Sequence, residues 1–300
     1  MKNFNDIFSA LKSRESKKRM VAAWGVDDHT ITAANFAVAQ GLVEAILVGD
    51  RDMIVAVCEK ECIDPAVFTI VHNPSELGSV AQAVSMINEG QGDFLMKGLC
   101  STDKFLRAIL NKETGLLPPK GVLTHCGVIE MPCYHKLLFV GDVAVIPAPD
   151  LKQKQVILDC LVKTAKSAGV ATPKVAVIAA TEQVLTSQPA SVEAALLAKM
   201  ADRGQIKGCI VDGPLALDVA IDKESADIKG LVSPVAGDAD CLLFPNIESG
   251  NVFYKANSKL VSGTRQAGIL VGAKVPCVLS SRADSTDTKL NSIAVAAMSV

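Results

Sequence analysis

"VLSSRADSTDTKLNSIA" (Val278–Ala294) joins two kinds of pattern. An apolar run, Val275–Leu279, stops at Ser280, Ser281 and Arg282, and a helical pattern begins near Thr286. A strand handing over to a helix is the repeating unit of α/β folds. In open α/β sheets that junction is also where ligands meet the chain, and a helix N-terminus there favours an anion. Two readings fit the segment. Ser281 and Arg282 hold an oxyanion such as phosphate, or Ser285 merely caps the helix and Arg282 is a solvated charge.

The same alternation runs through the chain. Strand candidates are "RMVAAWGV" from Arg19, "AILVGD" from Ala45, "FTIVHN" from Phe68, "DFLMKG" from Asp93, "GVLTHCGVIE" from Gly121 and "KLLFVGDVAVI" from Lys136. "KVAVIAA" from Lys174, "GCIVDG" from Gly208, "CLLFP" from Cys241 and "VPCVLSS" from Val275 follow. Most are continuous apolar runs, as in sheets covered on both faces. Helical patterns lie between them. One runs from a capping Asp150 to Gly169, and another from Ser191 to Arg203 with Gly204 as the stop. "IPAPD" (Ile146–Asp150) suits a crossing between lobes, and Gly268–Val275 suits the return. The expected organisation is two α/β lobes with a cleft. Residues 1–145, completed by 270–300, form the first, and residues 146–269 the second.

Three hundred residues, 49% apolar and only 4% aromatic, describe a globular chain with room for two domains. A net charge of -2 leaves no nucleic-acid footprint. "RESKKR" (Arg14–Arg19) is short and reads as a solvated helix end. The first residues lack a continuous apolar core of a signal peptide, and no run approaches the roughly 18 residues of a membrane span. Nine scattered cysteines without a C-x-x-C pair read as reduced, mostly buried thiols. A cytoplasmic protein that contacts neither membrane nor nucleic acid is expected.

Several motifs bear on chemistry. "GQGDFLMKG" lacks the third glycine of a dinucleotide loop, at Leu95, and precedes a strand instead of following one. His125 and Cys126 are adjacent, so on a strand they face opposite ways and cannot act as base and nucleophile. In "VDGPLALDVAID", Gly213-Pro214 is expected to turn the chain at a strand end. Asp212, Asp218 and Asp222 there read equally as metal ligands or as loop and helix-start acids. "SPVAGDADCLLFPNIESGNVFYK" ends a buried strand at Pro245 and opens a helix through Glu248, Ser249, Gly250 and Asn251. "KGLCSTDKFLRAIL" repeats this in the first lobe, with Lys97 at a strand end, Ser101 and Thr102 as caps and Arg107 on the helix. Lys97, Arg107 and Arg282 are thereby expected to converge on a phosphate and a phosphorylated cofactor.

The words "DFLMKG", "YHKLLFVGD", "RGQIKGCIVDGPLALDVAI", "SPVAGDADCLLFPNIESGNVFYK" and "SSRADSTDTKLNSIA" resemble the phosphate acetyl/butyryl transferases, and the butyryl branch most. The resemblance runs from about Asp93 to Ala297 and is looser before it. It implies two α/β/α lobes with a central cleft, like isocitrate and isopropylmalate dehydrogenases. It implies exchange of acyl-CoA plus phosphate for acyl phosphate plus CoA, by direct ternary transfer, without metal or resident cofactor. CoA is then a substrate, and a homo-oligomer is the family's habit. Ser281 and Arg282 match the family's serine-arginine pair that binds the acyl phosphate, with Ala283 in place of a glycine. Ser101, Thr102 and Arg107 match the spacing of its second arginine. The family's catalytic aspartate falls at Thr288, so the base shifts to Asp287, with Asp284 as the alternative. Lys97, Gly213, Pro214, Gly250 and Asn251 complete the expected substrate-binding set. Two other functions compete: a metal- and NAD-dependent decarboxylating dehydrogenase using Asp212, Asp218 and Asp222, and a two-lobe solute-binding protein.

Overall fold

The computed structural model describes residues 1–279 and 284–300. The chain divides into two compact units, Phe4–Leu123 with Ala267–Val300, and Thr124–Gln266 with Met1–Asn3. In chain order, the first unit begins with α1 (Phe4–Lys12), β1 (Lys18–Ala23), α2 (Asp28–Ala39), β2 (Val43–Gly49), α3 (Arg51–Lys60) and β3 (Thr69–His72). It continues through α4 (Glu76–Asn88), β4 (Phe94–Lys97) and α5 (Thr102–Ile109). The second unit holds β5 (Thr124–Glu130), β6 (Leu138–Gly141), α6 (Leu151–Ser167), β7 (Lys174–Ile178), α7 (Pro189–Asp202) and β8 (Ile210–Leu215). Next come α8 (Leu217–Ile221), α9 (Lys223–Ile228), β9 (Cys241–Leu243) and α10 (Ile247–Leu260). β10 (Arg265–Val271) carries the chain back, and β11 (Cys277–Val278) and α11 (Thr286–Met298) finish it.

In the first unit the strand order is β3-β2-β1-β4-β11-β10. All neighbours are parallel except β10 and β11. In the second unit the order is β5-β6-β9-β7-β8, antiparallel only at β5–β6. Residues 124–145 therefore belong with the second unit: β5 pairs with β6, and β6 with β9. The partition falls at Leu123/Thr124, ahead of the crossing that "IPAPD" suggested. Parallel strands buried on both faces explain the continuous apolar runs, as in β4, whose four residues are all buried.

Local chemistry sets the helix ends. α6 starts at a capping box, in which Asp150 accepts from Gln153 N at 2.8 Å and the Gln153 side chain accepts from Asp150 N at 2.9 Å. Gly169 and Gly204 follow α6 and α7 in the left-handed region, at φ 83° and 71°. Every residue of α11 from Lys289 to Met298 is buried, as expected of a helix enclosed on all sides; it packs against α1 and α2. "RESKKR" is not simply solvated. Arg14 Nη1 donates to Ala297 O at 2.9 Å, at the carboxyl end of α11. Among the described residues no helix is long and apolar enough to cross a membrane.

Candidate functional site

In the first unit, the exits of β1 and β4 are tied together. Gly98 N donates to Ala23 O at 3.0 Å and Leu99 N to Trp24 O at 2.9 Å. A Cβ on Gly98 would lie 2.2 Å from Trp24 O, so this approach requires glycine. Lys97 ends β4 only 7% exposed, its Nζ donating to Gly98 O at 3.1 Å. Ser101 caps α5, accepting from Lys104 N at 3.3 Å, and Thr102 opens the helix, exposed.

This turn is braced by Glu76, which no sequence pattern singled out. Its carboxylate accepts from Ser101 N at 3.2 Å and pairs with Lys104 Nζ at 2.5 Å. The hydrogen bond from Lys104 outweighs partial burial and holds the Glu76 carboxyl below its ordinary value.

Arg107 is not brought to this strand end. Phe105 and Ile109 face the core, so Arg107 points the other way, its side chain 80% exposed and paired with Asp103 at 3.1 Å. It lines a groove of about 460 Å³ with Leu77, Val80, Val84 and Lys104. The expected convergence of Lys97 and Arg107 is absent for this geometric reason.

At the start of α11, Ser285 accepts from Thr288 N at 3.1 Å, so the capping reading of this serine holds. Asp287 is exposed in the first turn. The Asp284 carbonyl accepts from Lys289 Nζ at 3.1 Å, and Lys289 is buried. Ser281 and Arg282, with Ser280 and Ala283, lie outside the described residues.

In the second unit, the exit of β6 is organised by Asp142, again unannounced by the sequence. It is 2% exposed and accepts four hydrogen bonds. Thr124 Oγ1 and His125 N reach Oδ2 at 2.6 and 3.2 Å, and Ala144 N and Val145 N reach Oδ1 at 2.7 and 2.8 Å. α10 docks on this loop. A Cβ on Gly250 would lie 2.3 Å from Asp142 O, and Asn251 Nδ2 donates to Val143 O at 2.8 Å. Asn246 caps α10 by accepting from Ser249 N at 3.0 Å, so the helix opens earlier than the glutamate-serine-glycine run suggested.

Gly213-Pro214 does not turn the chain. β8 continues through both residues to Leu215, with a cis bond between them. Gly213 packs so closely on Val177 that a Cβ would sit 2.8 Å from its Cβ. The nearby aspartates have separate partners. Asp212 accepts from Gly213 N at 2.8 Å, Asp218 pairs with Lys229 at 3.0 Å, and Asp222 caps α9 through Ser225 N at 2.8 Å. Among the described residues no three His, Cys, Asp or Glu side chains gather as metal ligands.

Residues 78–297 match the family described as phosphate acetyl/butaryl transferase. The chain belongs to that family. It is 46% identical to the phosphate butyryltransferase of Clostridium acetobutylicum, over 99% of this chain and 98% of that one. It is 39% identical to the phosphate acetyltransferase of Thermotoga maritima, over 95% of this chain and 96% of that one. The crystal structure of a branched-chain phosphotransacylase from Enterococcus faecalis V583 superposes with a TM-score of 0.82 at 28% identity. That match covers 94% of this chain and 98% of the other. The phosphate acyltransferase family thus accounts for the mixed α/β fold and makes this chain a transferase.

Proposed function

We infer that this chain exchanges acyl-CoA and phosphate for acyl phosphate and CoA, with butyryl as the favoured acyl group. The observation that carries this is the 46% identity to a phosphate butyryltransferase along nearly the whole of both chains. Transfer is direct, within a ternary complex, on a chain of two α/β lobes of the isocitrate dehydrogenase type, in a cytoplasmic homo-oligomer. No metal or resident cofactor takes part. Arg282 neutralises the phosphate bidentately, and Ser281 donates to the phosphate or to the developing oxyanion. Lys97 and the cap of α5 at Ser101 and Thr102 add positive potential from β4. Gly213, Pro214, Gly250 and Asn251 shape the second lobe's wall. Asp287 takes the thiol proton when CoA attacks.

CoA release from acetyl-, butyryl- and hexanoyl-CoA, with and without phosphate, tests the reading. Release should require phosphate. Two extra buried methylenes are worth about 1.6 kcal/mol, so butyryl-CoA should exceed acetyl-CoA about fifteenfold in kcat/KM. Phosphate-independent release would remove the exchange reaction, and acetyl-CoA at or above butyryl-CoA would place the chain in the acetyl branch. Arg282→Ala should cost about a hundredfold in rate, with Arg282→Lys recovering part of it. An alanine variant at full rate would remove Arg282 from the site.

A further inference from the structure

Lys289 is the fourth residue of α11 and only 5% exposed. Its Nζ reaches back past the Ser285 cap and donates to Asp284 O at 3.1 Å. Among the described residues no carboxylate pairs with this ammonium. The placement is unfavourable twice over. A buried ammonium loses its hydration, and here its three donors regain one protein acceptor. The start of a helix also favours negative charge, so a cation in this part of α11 opposes the macrodipole. Methionine would fill the same space without either cost.

What the ammonium holds accounts for its being there. Residues 279–285 join β11 to α11 and carry Ser281 and Arg282. The strand end of this connection is fixed by pairing, since Val278 stands in register with Met96 of β4 and Ile269 of β10. The helix end is fixed by two bonds, the Ser285 cap on Thr288 N and Lys289 on the Asp284 carbonyl. The cap reaches no further than Ser285, so Lys289 supplies the outer anchor on that side. Consecutive Cα atoms are about 3.8 Å apart, which keeps Asp284 Cα within about 7.6 Å of that of Arg282. An arginine that grips an anion in one geometry needs such an anchor, and a fixed positive charge close by favours the anion further.

We propose that Lys289 is a positioning residue for phosphate binding, which fixes the connection carrying Ser281 and Arg282 through the Asp284 carbonyl. This rests on the exchange reading above and adds to it the group that holds the anion-binding arginine in place. Lys289 itself touches no reactant, and no covalent step is involved.

The test uses the full chain as wild type, Lys289→Met and Lys289→Arg. It measures the KM for phosphate, the KM for butyryl-CoA and thermal melting by circular dichroism, with and without saturating phosphate. Lys289→Met should raise the phosphate KM about tenfold, the loss of one charge-assisted hydrogen bond. The KM for butyryl-CoA should stay the same. Without phosphate this variant should melt at or above the wild-type temperature, since it buries no charge. Phosphate should raise its melting temperature by less than it raises that of wild type. Lys289→Arg keeps donor and charge and should hold the phosphate KM within about threefold of wild type. A wild-type phosphate KM in Lys289→Met would overturn the proposal while leaving the exchange reaction intact. An equal rise in both KM values would also overturn it, as the mark of general loosening. So would a methionine variant too unstable to assay, which would make the lysine structural. An arginine variant as impaired as the methionine one, with a wild-type melting curve, would remove the donor and its charge from the account. Wild-type enzyme without phosphate-dependent CoA release would instead defeat the exchange reading on which the proposal stands.

Discussion

Replacing Asp142 by asparagine should destabilise the protein by about 3 kcal/mol, and the figure can be built from its four hydrogen bonds. Asparagine keeps one oxygen. If that oxygen retains Ala144 N and Val145 N, the new amide faces Thr124 Oγ1 and His125 N. The threonine hydroxyl can rotate and accept. The His125 N–H cannot, and an orphaned buried N–H costs about 1–3 kcal/mol. Loss of the negative charge also weakens the two retained bonds, since hydrogen bonds to ionised acceptors are roughly twice as strong as neutral ones. These contributions overlap, so the sum is held to about 3 kcal/mol, or about 6–12 °C in Tm for a chain of this size. Thr124→Val removes a single donor and should cost about 1 kcal/mol. Urea unfolding of wild type, both single variants and the double variant measures these values and their coupling. Asp142→Asn within about 0.5 kcal/mol of wild type would refute the reasoning, as would full additivity with Thr124→Val.

Gly250→Ala should destabilise the docking of α10 by about 2 kcal/mol or more, because its Cβ would sit 2.3 Å from a backbone oxygen; a wild-type melting temperature would show that α10 can shift freely. Burial alone would raise the Asp238 carboxyl, but hydrogen bonds from Lys136, Lys174 and His135 outweigh it and hold the group well below its ordinary value. Its stabilisation is complete above the unfolded carboxylate pKa of about 3.9 and fades as pH falls through the lower folded value, so Asp238→Asn should flatten the acid limb of the stability curve. An unchanged acid limb in that variant would count against the network. Single alanine variants of Cys100, Cys126 and Cys277 should keep turnover at some cost in stability. Burial pushes the thiols of Cys100 and Cys277 up to about 11 and about 12 and that of Cys126 higher still, which leaves no thiolate at neutral pH. Mass spectrometric detection of an acyl group on any of the three would contradict this.

Much of the fold was legible because two signals agreed. Buried parallel strands are continuous apolar runs, and the chain marks their exits with Gly or Asp, as at Val48-Gly49-Asp50 and Val140-Gly141-Asp142. The strand that went unread is β10, where Arg265, Gln266 and Gly268 dilute the pattern although its central residues are buried. Gly213-Pro214 misled for the opposite reason. Glycine and proline usually punctuate a turn, but here the glycine serves close packing against Val177 and the strand runs on. The lobe boundary was misplaced because "IPAPD" looks like a linker, while the partners of β5 and β6 are set by pairing far along the chain.

The site was legible as a set of strand ends and much less as a set of side chains. Lys97, Ser101 and Thr102 stand at the β4 exit, as their order along the chain requires. Arg107 does not join them, because a helix rotates each residue by about 100°. Its direction was fixed once Phe105 and Ile109 were buried. Glu76, Asp142 and Asp27 escaped notice for a related reason. Each acts on backbone N–H groups, and such donors leave no mark in the sequence. An acid that follows an apolar strand by a few residues is thus ambiguous on its own, since it can cap, brace or bind. Hydrogen-bond accounting in the folded chain separates these roles. Asp142 has both oxygens satisfied by protein donors and is a brace. Asp27 gives one oxygen to the cap of α2 and keeps the other buried with no hydrogen-bond partner among the described residues, so the same accounting makes it a cap and not a brace.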